Sequence, residues 1–218
     1  MRLSDKHQFS TKKIKNIIFD WGGVLTDIDF QASIKAFKDL GIEDFENHYT
    51  LLKQGELFVN FEKGLLSPDE FRKKLKEQLP VNVTDKQIDD AWKAMLLDLP
   101  VERWELLKKV KTSYRTFILS NTNLLHVEWY FKILEKKYGT YGYSHLFEKV
   151  YFSYELGMRK PDRDIYEHVI SDSQLIPEET LFIDDSPLNI ETADSMGIQT
   201  YCLKKPETLL NLFENGTR

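Results

Sequence analysis

Cysteine is almost missing from this 218-residue chain, with Cys202 its single example. No internal disulfide can form, which fits a reducing compartment and predicts a cytoplasmic protein. Cys202 lies in the apolar run Thr200-Tyr201-Cys202-Leu203 and is expected to be a small buried hydrophobe. Long apolar stretches are missing too. Spanning a bilayer takes about 20 such residues in a row, so no membrane is expected as a partner. The polar segment Met1 to Ser10 lacks the apolar centre of a secretion signal. Positive charge is not in excess, since 30 Lys and Arg face 35 Asp and Glu for a net charge of −5. Binding nucleic acid calls for a basic stripe, so none is expected here. Lys12, Lys13 and Lys15 read as a solvated lead-in to the first strand. What is present is an ordinary globular mixture, 41% hydrophobic and 30% charged. The length allows one or two domains, and a domain of about 150 residues already hides roughly 70% of its unfolded surface.

The most informative stretch is Ile17-Ile18-Phe19-Asp20-Trp21-Gly22-Gly23-Val24-Leu25. A short continuous apolar run is how a strand buried on both faces reads. It stops at one carboxylate and turns through two glycines. In open parallel sheets, ligands bind just beyond the carboxyl ends of the strands. Asp20 is placed there.

From about Phe30 to Leu99 the chain becomes rich in Lys, Glu, Leu and Phe at helical spacing. Ser67-Pro68-Asp69-Glu70 is a helix start, with Ser as cap, Pro in the first turn and Glu in the capping-box position. Phe71, Leu75 and Leu79 then form one apolar stripe. Thr84-Asp85-Lys86-Gln87 repeats the signal ahead of Ile88, Ala91, Trp92, Met95 and Leu96. Three or four helices are expected, as a subdomain spanning 30–99 inserted into an α/β core made of 1–29 and 100–218.

Beyond Val101 helices and strands alternate. Helices are expected over Glu102 to Val110, Val127 to Tyr138, Asp164 to Ile170 and Asn189 to Met196, the last closed by Gly197. Strands are expected at Arg115 to Ser120, Lys149 to Phe152, Thr180 to Asp184 and Gln199 to Leu203. Such alternation implies βαβ units and a three-layer, Rossmann-like parallel sheet.

Four signals fall at strand ends or in loops: Asp20, Ser120-Asn121-Thr122-Asn123, Lys160-Pro161 and Asp184-Asp185-Ser186. Each alone has a bland reading as a turn, a helix cap or a solvated charge. Together they are more specific. Clustered carboxylates repel one another unless a cation joins them. Asp20 and Asp185 at adjacent strand ends make an oxygen site suited to Mg²⁺, which is usually held by one or two carboxylates plus substrate phosphate. Ser120, the Asn121 backbone N–H and Lys160 supply donors and positive charge for a phosphoryl group. A carboxylate nucleophile can form an aspartyl-phosphate intermediate.

In these motifs the chain resembles the haloacid dehalogenase-like hydrolase superfamily over about Asn16 to Asp29 and Val101 to Gly197. Ser120 to His126, Leu156 to Pro161 with Ile165-Tyr166, and Phe182 to Asp185 with Asn189-Ile190-Glu191 resemble its α-glucose-1-phosphate phosphatase-like branch. The resemblance implies that Asp20 attacks phosphorus and ligates Mg²⁺. It makes the Gly22 carbonyl and Asp185 further ligands, with Asp184 in the outer shell or sharing the metal. Ser120, Asn121 and Lys160 hold the phosphate. The helical insertion takes the place of a cap, and the substrate is a small phosphorylated metabolite, plausibly a sugar phosphate.

One departure stands out. Most phosphatases of the superfamily carry a second Asp two residues after the nucleophile, as general acid and base. Here that position is Gly22, a pattern the glucose-1-phosphatase-like branch shares. Asp27, Asp29 and His126 are the nearby candidates for a substitute. Two other readings are metal-free carbon–halogen hydrolysis, which the Asp184-Asp185 pair argues against, and a binding protein that kept the fold but lost turnover. Trp21 is expected either to touch substrate or to wedge the turn. Trp92, Trp104 and Trp129 fit core faces, while Phe58 and Phe61 are candidate cap contacts.

Overall fold

The computed structural model describes residues 2–3, 13–43, 45, 56–139 and 145–214. Lys12 and most of the polar N-terminal segment fall outside them. Seven strands are present among the described residues: β1 (Arg2–Leu3), β2 (Asn16–Phe19), β3 (Arg115–Ser120), β4 (Lys149–Phe152), β5 (Thr180–Asp184), β6 (Gln199–Cys202) and β7 (Phe213–Glu214). β1 and β7 pair with each other as a two-residue antiparallel ladder. The other five form one sheet in the order β4-β3-β2-β5-β6, every neighbour parallel. The order reverses at β2, so the crevice lies where β2 and β5 end side by side.

The strands read as apolar runs because both faces are covered. Ile17, Phe19, Ile118, Leu181 and Ile183 face one core, while Ile18, Phe117, Leu119 and Phe182 face the other. That alternation is the two-residue period of a strand. The helices are α1 (Phe30–Asp39), α2 (Glu56–Glu62), α3 (Pro68–Gln78), α4 (Asp85–Lys93), α5 (Val101–Val110), α6 (Leu124–Tyr138), α7 (Ser153–Leu156), α8 (Arg163–Asp172), α9 (Pro187–Ser195) and α10 (Leu209–Leu212).

Local chemistry explains their ends. In α3 the Ser67 hydroxyl accepts from the Glu70 N–H at 3.3 Å, and the Glu70 carboxylate accepts from the Ser67 N–H at 2.8 Å. Thr84 and Gln87 repeat this reciprocal cap on α4. α6 begins at Leu124, three residues earlier than the apolar spacing predicts. The Asn123 side chain caps it, accepting from the His126 N–H at 3.1 Å. α4 ends at Lys93, yet Met95 and Leu96 remain buried in the turn that follows.

The helices α1–α4, which lie between β2 and α5 where the insertion is expected, share an aromatic core. Phe71 stacks on Phe61 at 4.1 Å between ring centroids, and Phe58 lies 4.8 Å from Trp92. Phe58 and Phe61 are therefore interior packing rather than cap contacts, 4% and 2% exposed. The chain enters and leaves the insertion along one antiparallel pairing, with the Asp29 N–H donating to Met95 O and the Leu97 N–H to Asp27 O. Its far end is fastened to the core. Arg159 donates to Glu62 at 2.9 Å, and Lys63 pairs with Asp162 at 3.1 Å. Between these contacts a Cβ on Gly64 would meet the Tyr154 carbonyl oxygen at 2.0 Å, so only glycine permits the approach. No helix among the described residues is long and apolar enough to cross a membrane.

For Cys202 the expectation changes, and for Trp21 one of two alternatives holds. Cys202 is half-buried at the end of β6, its thiol facing the Asp185 carbonyl at 3.9 Å, because an edge strand leaves one side open. Trp21 is 2% exposed, between Tyr130 at 4.5 Å and Phe152 at 5.4 Å, so it wedges the turn.

Candidate active site

At the carboxyl end of the sheet, Lys160 carries the charge arrangement. Its ammonium is 1% exposed and donates to Asp20 Oδ1 at 2.7 Å and to Asp184 Oδ2 at 2.6 Å. Asp20 follows β2 and Asp184 ends β5, two strands that pair directly. Lys160 comes from the loop before α8, and its main chain is held there by Asn121. The Asn121 amide donates to Lys160 O at 2.7 Å and accepts from the Lys160 N–H at 2.9 Å. The Asn121 side chain is thus a brace on Lys160, leaving its backbone N–H as the group to consider for phosphate. Ser120 closes β3, the strand next to β2, and is 3% exposed. The loop after it is tied down by Ser153, whose hydroxyl accepts from the Thr122 N–H and donates to Thr122 O.

Asp184 is fully engaged. Besides Lys160, both its oxygens accept from the Asn189 amide at 3.0 Å, and Oδ1 accepts from the Ser186 N–H at 2.8 Å. Asp185 is exposed and set against the turn after Asp20. A Cβ on Gly23 would come within 2.3 Å of Asp185 Oδ2, and Gly23 has φ +85. Only glycine accepts both that backbone and that carboxylate.

Carboxylate oxygens of Asp20, Asp184 and Asp185 lie within 4.8 Å of one another. Three carboxylates face one ammonium here, so a divalent cation matches the uncompensated charge. The donor set, all hard oxygens, suits Mg²⁺. Burial above all, then Asp184 and Asp185, pushes the Asp20 carboxyl up to about 7 against the pull of Lys160. Asp185 is likewise raised, by desolvation and then by Asp184. A cation bound between them would favour their ionised forms. Of the four residues expected as ligands, Asp20, Asp184 and Asp185 come together. Gly22 stands in the same turn, bridged to Thr26.

A side chain at position 22 would displace the end of the Ile28 side chain. A Cβ there would meet Ile28 Cδ1 at 2.3 Å. The three candidate substitutes for a missing acid have other duties. Asp27 accepts from Arg103 at 2.9 Å. Asp29 caps α1 through the Gln31 and Ala32 N–H groups. His126 is buried, and desolvation pulls its imidazole down to about 3, with help from Lys93. It is therefore neutral near pH 7 and carries no acidic proton of imidazolium type.

Beside Lys160 a cleft of about 420 Å³ opens between the insertion and the core, with Trp92, Met95 and Leu96 on one side and Asn189 on the other. A second cavity, of about 610 Å³, lies near Asn16, Arg115 and Glu179, where the strands begin. In a parallel sheet that is the end away from the chemistry. Sequence reading missed the roles of Asn189 and Ser153. The signal for Asn189 was its five-residue spacing from Asp184, one turn into α9. Ser153 had none, since its partner Thr122 is remote in sequence.

The chain is similar to several known proteins. A D-ribitol-5-phosphate phosphatase of Bacteroides thetaiotaomicron is 34% identical over 190 residues, 86% of this chain and 91% of that protein. The crystal structure of a HAD family enzyme from the same organism, in complex with magnesium and inorganic phosphate, superposes with a TM-score of 0.83 at 40% identity. It covers 92% of this chain and 100% of the other. A predicted HAD-like family hydrolase of Porphyromonas gingivalis superposes at 0.81 with 36% identity, over 90% and 94% of the two chains. The family described as haloacid dehalogenase-like hydrolase matches residues 14–197. This chain belongs to the haloacid dehalogenase-like hydrolase family.

Proposed function

We propose that this chain is a Mg²⁺-dependent phosphatase of a small phosphorylated metabolite, a sugar or polyol phosphate, working through a phospho-Asp20 intermediate. The observation that carries the reading is the convergence of Asp20, Asp184 and Asp185 around the buried Lys160 ammonium. The similarity to a D-ribitol-5-phosphate phosphatase and to a magnesium and phosphate complex supports both the ester class and the ion. Three acids beside a departing halide would serve nothing, which disfavours the dehalogenase alternative. The intact set of acids and lysine disfavours a protein that only binds.

In this reading Asp20, Asp185 and the Gly22 carbonyl hold the ion, and Asp184 aligns Lys160 and the turn below it. When bound, the ion neutralises phosphate charge as it develops in transfer. Lys160 and the Asp20 carboxylate are pre-oriented by their 2.7 Å bond. Ser120 and the Asn121 N–H bind the non-bridging oxygens with Lys160. An Asp20 oxygen forms a bond to phosphorus as the bond to the leaving alcohol breaks. Water then attacks the acyl phosphate and frees Asp20 and inorganic phosphate. With glycine at position 22 and therefore no carboxyl there, solvent or the substrate itself protonates the leaving oxygen. Residues 30–99 act as the cap that shields the cleft, on a core of 1–29 and 100–218, and the enzyme works in the cytoplasm.

The test is hydrolysis of an aryl phosphate with Mg²⁺ and with EDTA. Activity should require the metal and fall by at least about 10³-fold in Asp20→Asn. Metal-independent turnover, or an Asp20→Asn variant as active as the parent, refutes the reading.

A further inference from the structure

The wall of the cleft beyond Lys160 carries polar groups that the transfer chemistry does not use. His126 is more than nine-tenths buried, lies parallel to Trp92 with 5.3 Å between ring centroids, and lines the cleft. Its Nε2 has no hydrogen-bond partner, whereas the ring does bond to the Trp92 backbone. That bond must therefore use Nδ1 as donor to a carbonyl. In a neutral ring Nε2 is then a bare acceptor. An unmet acceptor in a buried wall calls for a donor from the ligand.

Arg159 of the core and Glu62 of the insertion line the same cleft and bond to each other at 2.9 Å through Nη2 and Oε2. The Arg159 Nε is buried and has no acceptor. The wall of the cleft beside Lys160 thus holds one unmet lone pair, one unmet N–H and one carboxylate bonded to Arg159. A hydroxyl both donates and accepts, so a chain of hydroxyls can satisfy both the lone pair and the N–H. An alkyl chain satisfies neither. Ile28, Met95 and Leu96 offer apolar contact to the carbon backbone of the same ligand.

We propose that His126, Glu62 and Arg159 form a hydroxyl-recognition subsite that selects a polyhydroxylated leaving group. The proposal rests on the phosphatase reading and adds to it the groups that choose the substrate.

The experiment compares D-ribitol 5-phosphate with n-pentyl phosphate, which has the same carbon count and no free hydroxyls, both with Mg²⁺. The wild-type protein should favour the pentitol ester in kcat/KM by at least about 100-fold, since buried polar groups are left unpaired by the alkyl chain. His126→Phe keeps the ring stacked on Trp92 and removes the acceptor. It should lower that preference about tenfold, chiefly through KM, while changing pentyl phosphate turnover by less than about threefold. His126→Gln, which restores an acceptor, should recover part of the loss. Glu62→Gln, away from the sheet, should also cut the preference about tenfold and decides the matter alone if His126→Phe does not fold. Equal handling of the two esters by wild type, or an unchanged preference in the variants, overturns the subsite. Failure to hydrolyse any phosphate ester would instead sink the phosphatase reading, and the subsite with it.

Discussion

The crevice at the strand ends and the helical insertion above it are held together by opposite kinds of physics. In the crevice, Lys160 is 1% exposed among carboxylates, and nearly every polar atom has a named partner on a strand end or the loop beyond. Charges buried like this are costly to separate and tolerate little movement. In the insertion the interior is aromatic, Phe58, Phe61, Phe71 and Trp92, with ions outside, as in the Lys86–Asp90 pair. Apolar interiors can be repacked at modest cost if volume is kept. The contrast teaches where change is tolerated. Chemistry sits on a sheet that cannot shift, and the groups proposed to choose the substrate sit where helices from the insertion reach the core.

The sharpest way to break this contrast is Lys160→Met. Removing the ammonium leaves Asp20 and Asp184 unpaired, so unfolding by urea in EDTA should show a loss of about 3–5 kcal/mol. Added Mg²⁺ should return part of it by binding only the folded state. A variant as stable as wild type in EDTA would mean that the crevice is not held by charge.

The junction between the two regions should respond to acid. Burial holds the His126 imidazole down near 3, far below its ordinary value of about 6.5. Between those values the unfolded chain binds a proton that the folded one refuses. Stability should therefore fall as pH drops below about 6.5, by up to about 1.4 kcal/mol per unit. Urea midpoints measured across that range should lose this component of slope in His126→Phe. An identical slope in both proteins would place the titrating group elsewhere.

A smaller effect is expected at the turn under the crevice. Gly22→Ala pushes a methyl against Ile28 and should cost about 1–3 kcal/mol, with a favourable coupling when Ile28→Ala is added. Strict additivity would show that Ile28 is not what closes position 22. Smallest of all, Ser67→Ala should destabilise the insertion by about 1 kcal/mol through loss of the α3 cap. Thermal unfolding that also displaced the crevice residues, read by a changed Mg²⁺ affinity, would deny that the two regions respond separately.

Much was legible in the sequence because it depends on neighbours along the chain. The strands at Arg115 to Ser120, Lys149 to Phe152 and Thr180 to Asp184, and the capping boxes at Ser67 and Thr84, rest on local periodicity and side chain to backbone bonds. Family motifs placed Asp20, Lys160, Asp184 and Asp185 near one another before any coordinate. Phe58 and Phe61 were misjudged because a helical stripe does not say which neighbour covers it. Asn121 was read for its N–H, and the grip of its side chain on Lys160 joins residues 39 apart.

By itself, then, the amino-acid order determined the alternation of strands and helices, the helical stretch between β2 and β3 and the line of acids at strand ends. These follow from hydrophobic period and short-range capping, which act over a few residues. Only the tertiary structure decided that Ile28 fills the room beside Gly22, that Asp27 and Asp29 are spent on Arg103 and on a helix cap, and that Arg159 meets Glu62 across the cleft. Those outcomes depend on which surfaces come into contact once the sheet is assembled, and excluded volume and charge pairing between distant segments leave no periodic trace in the chain.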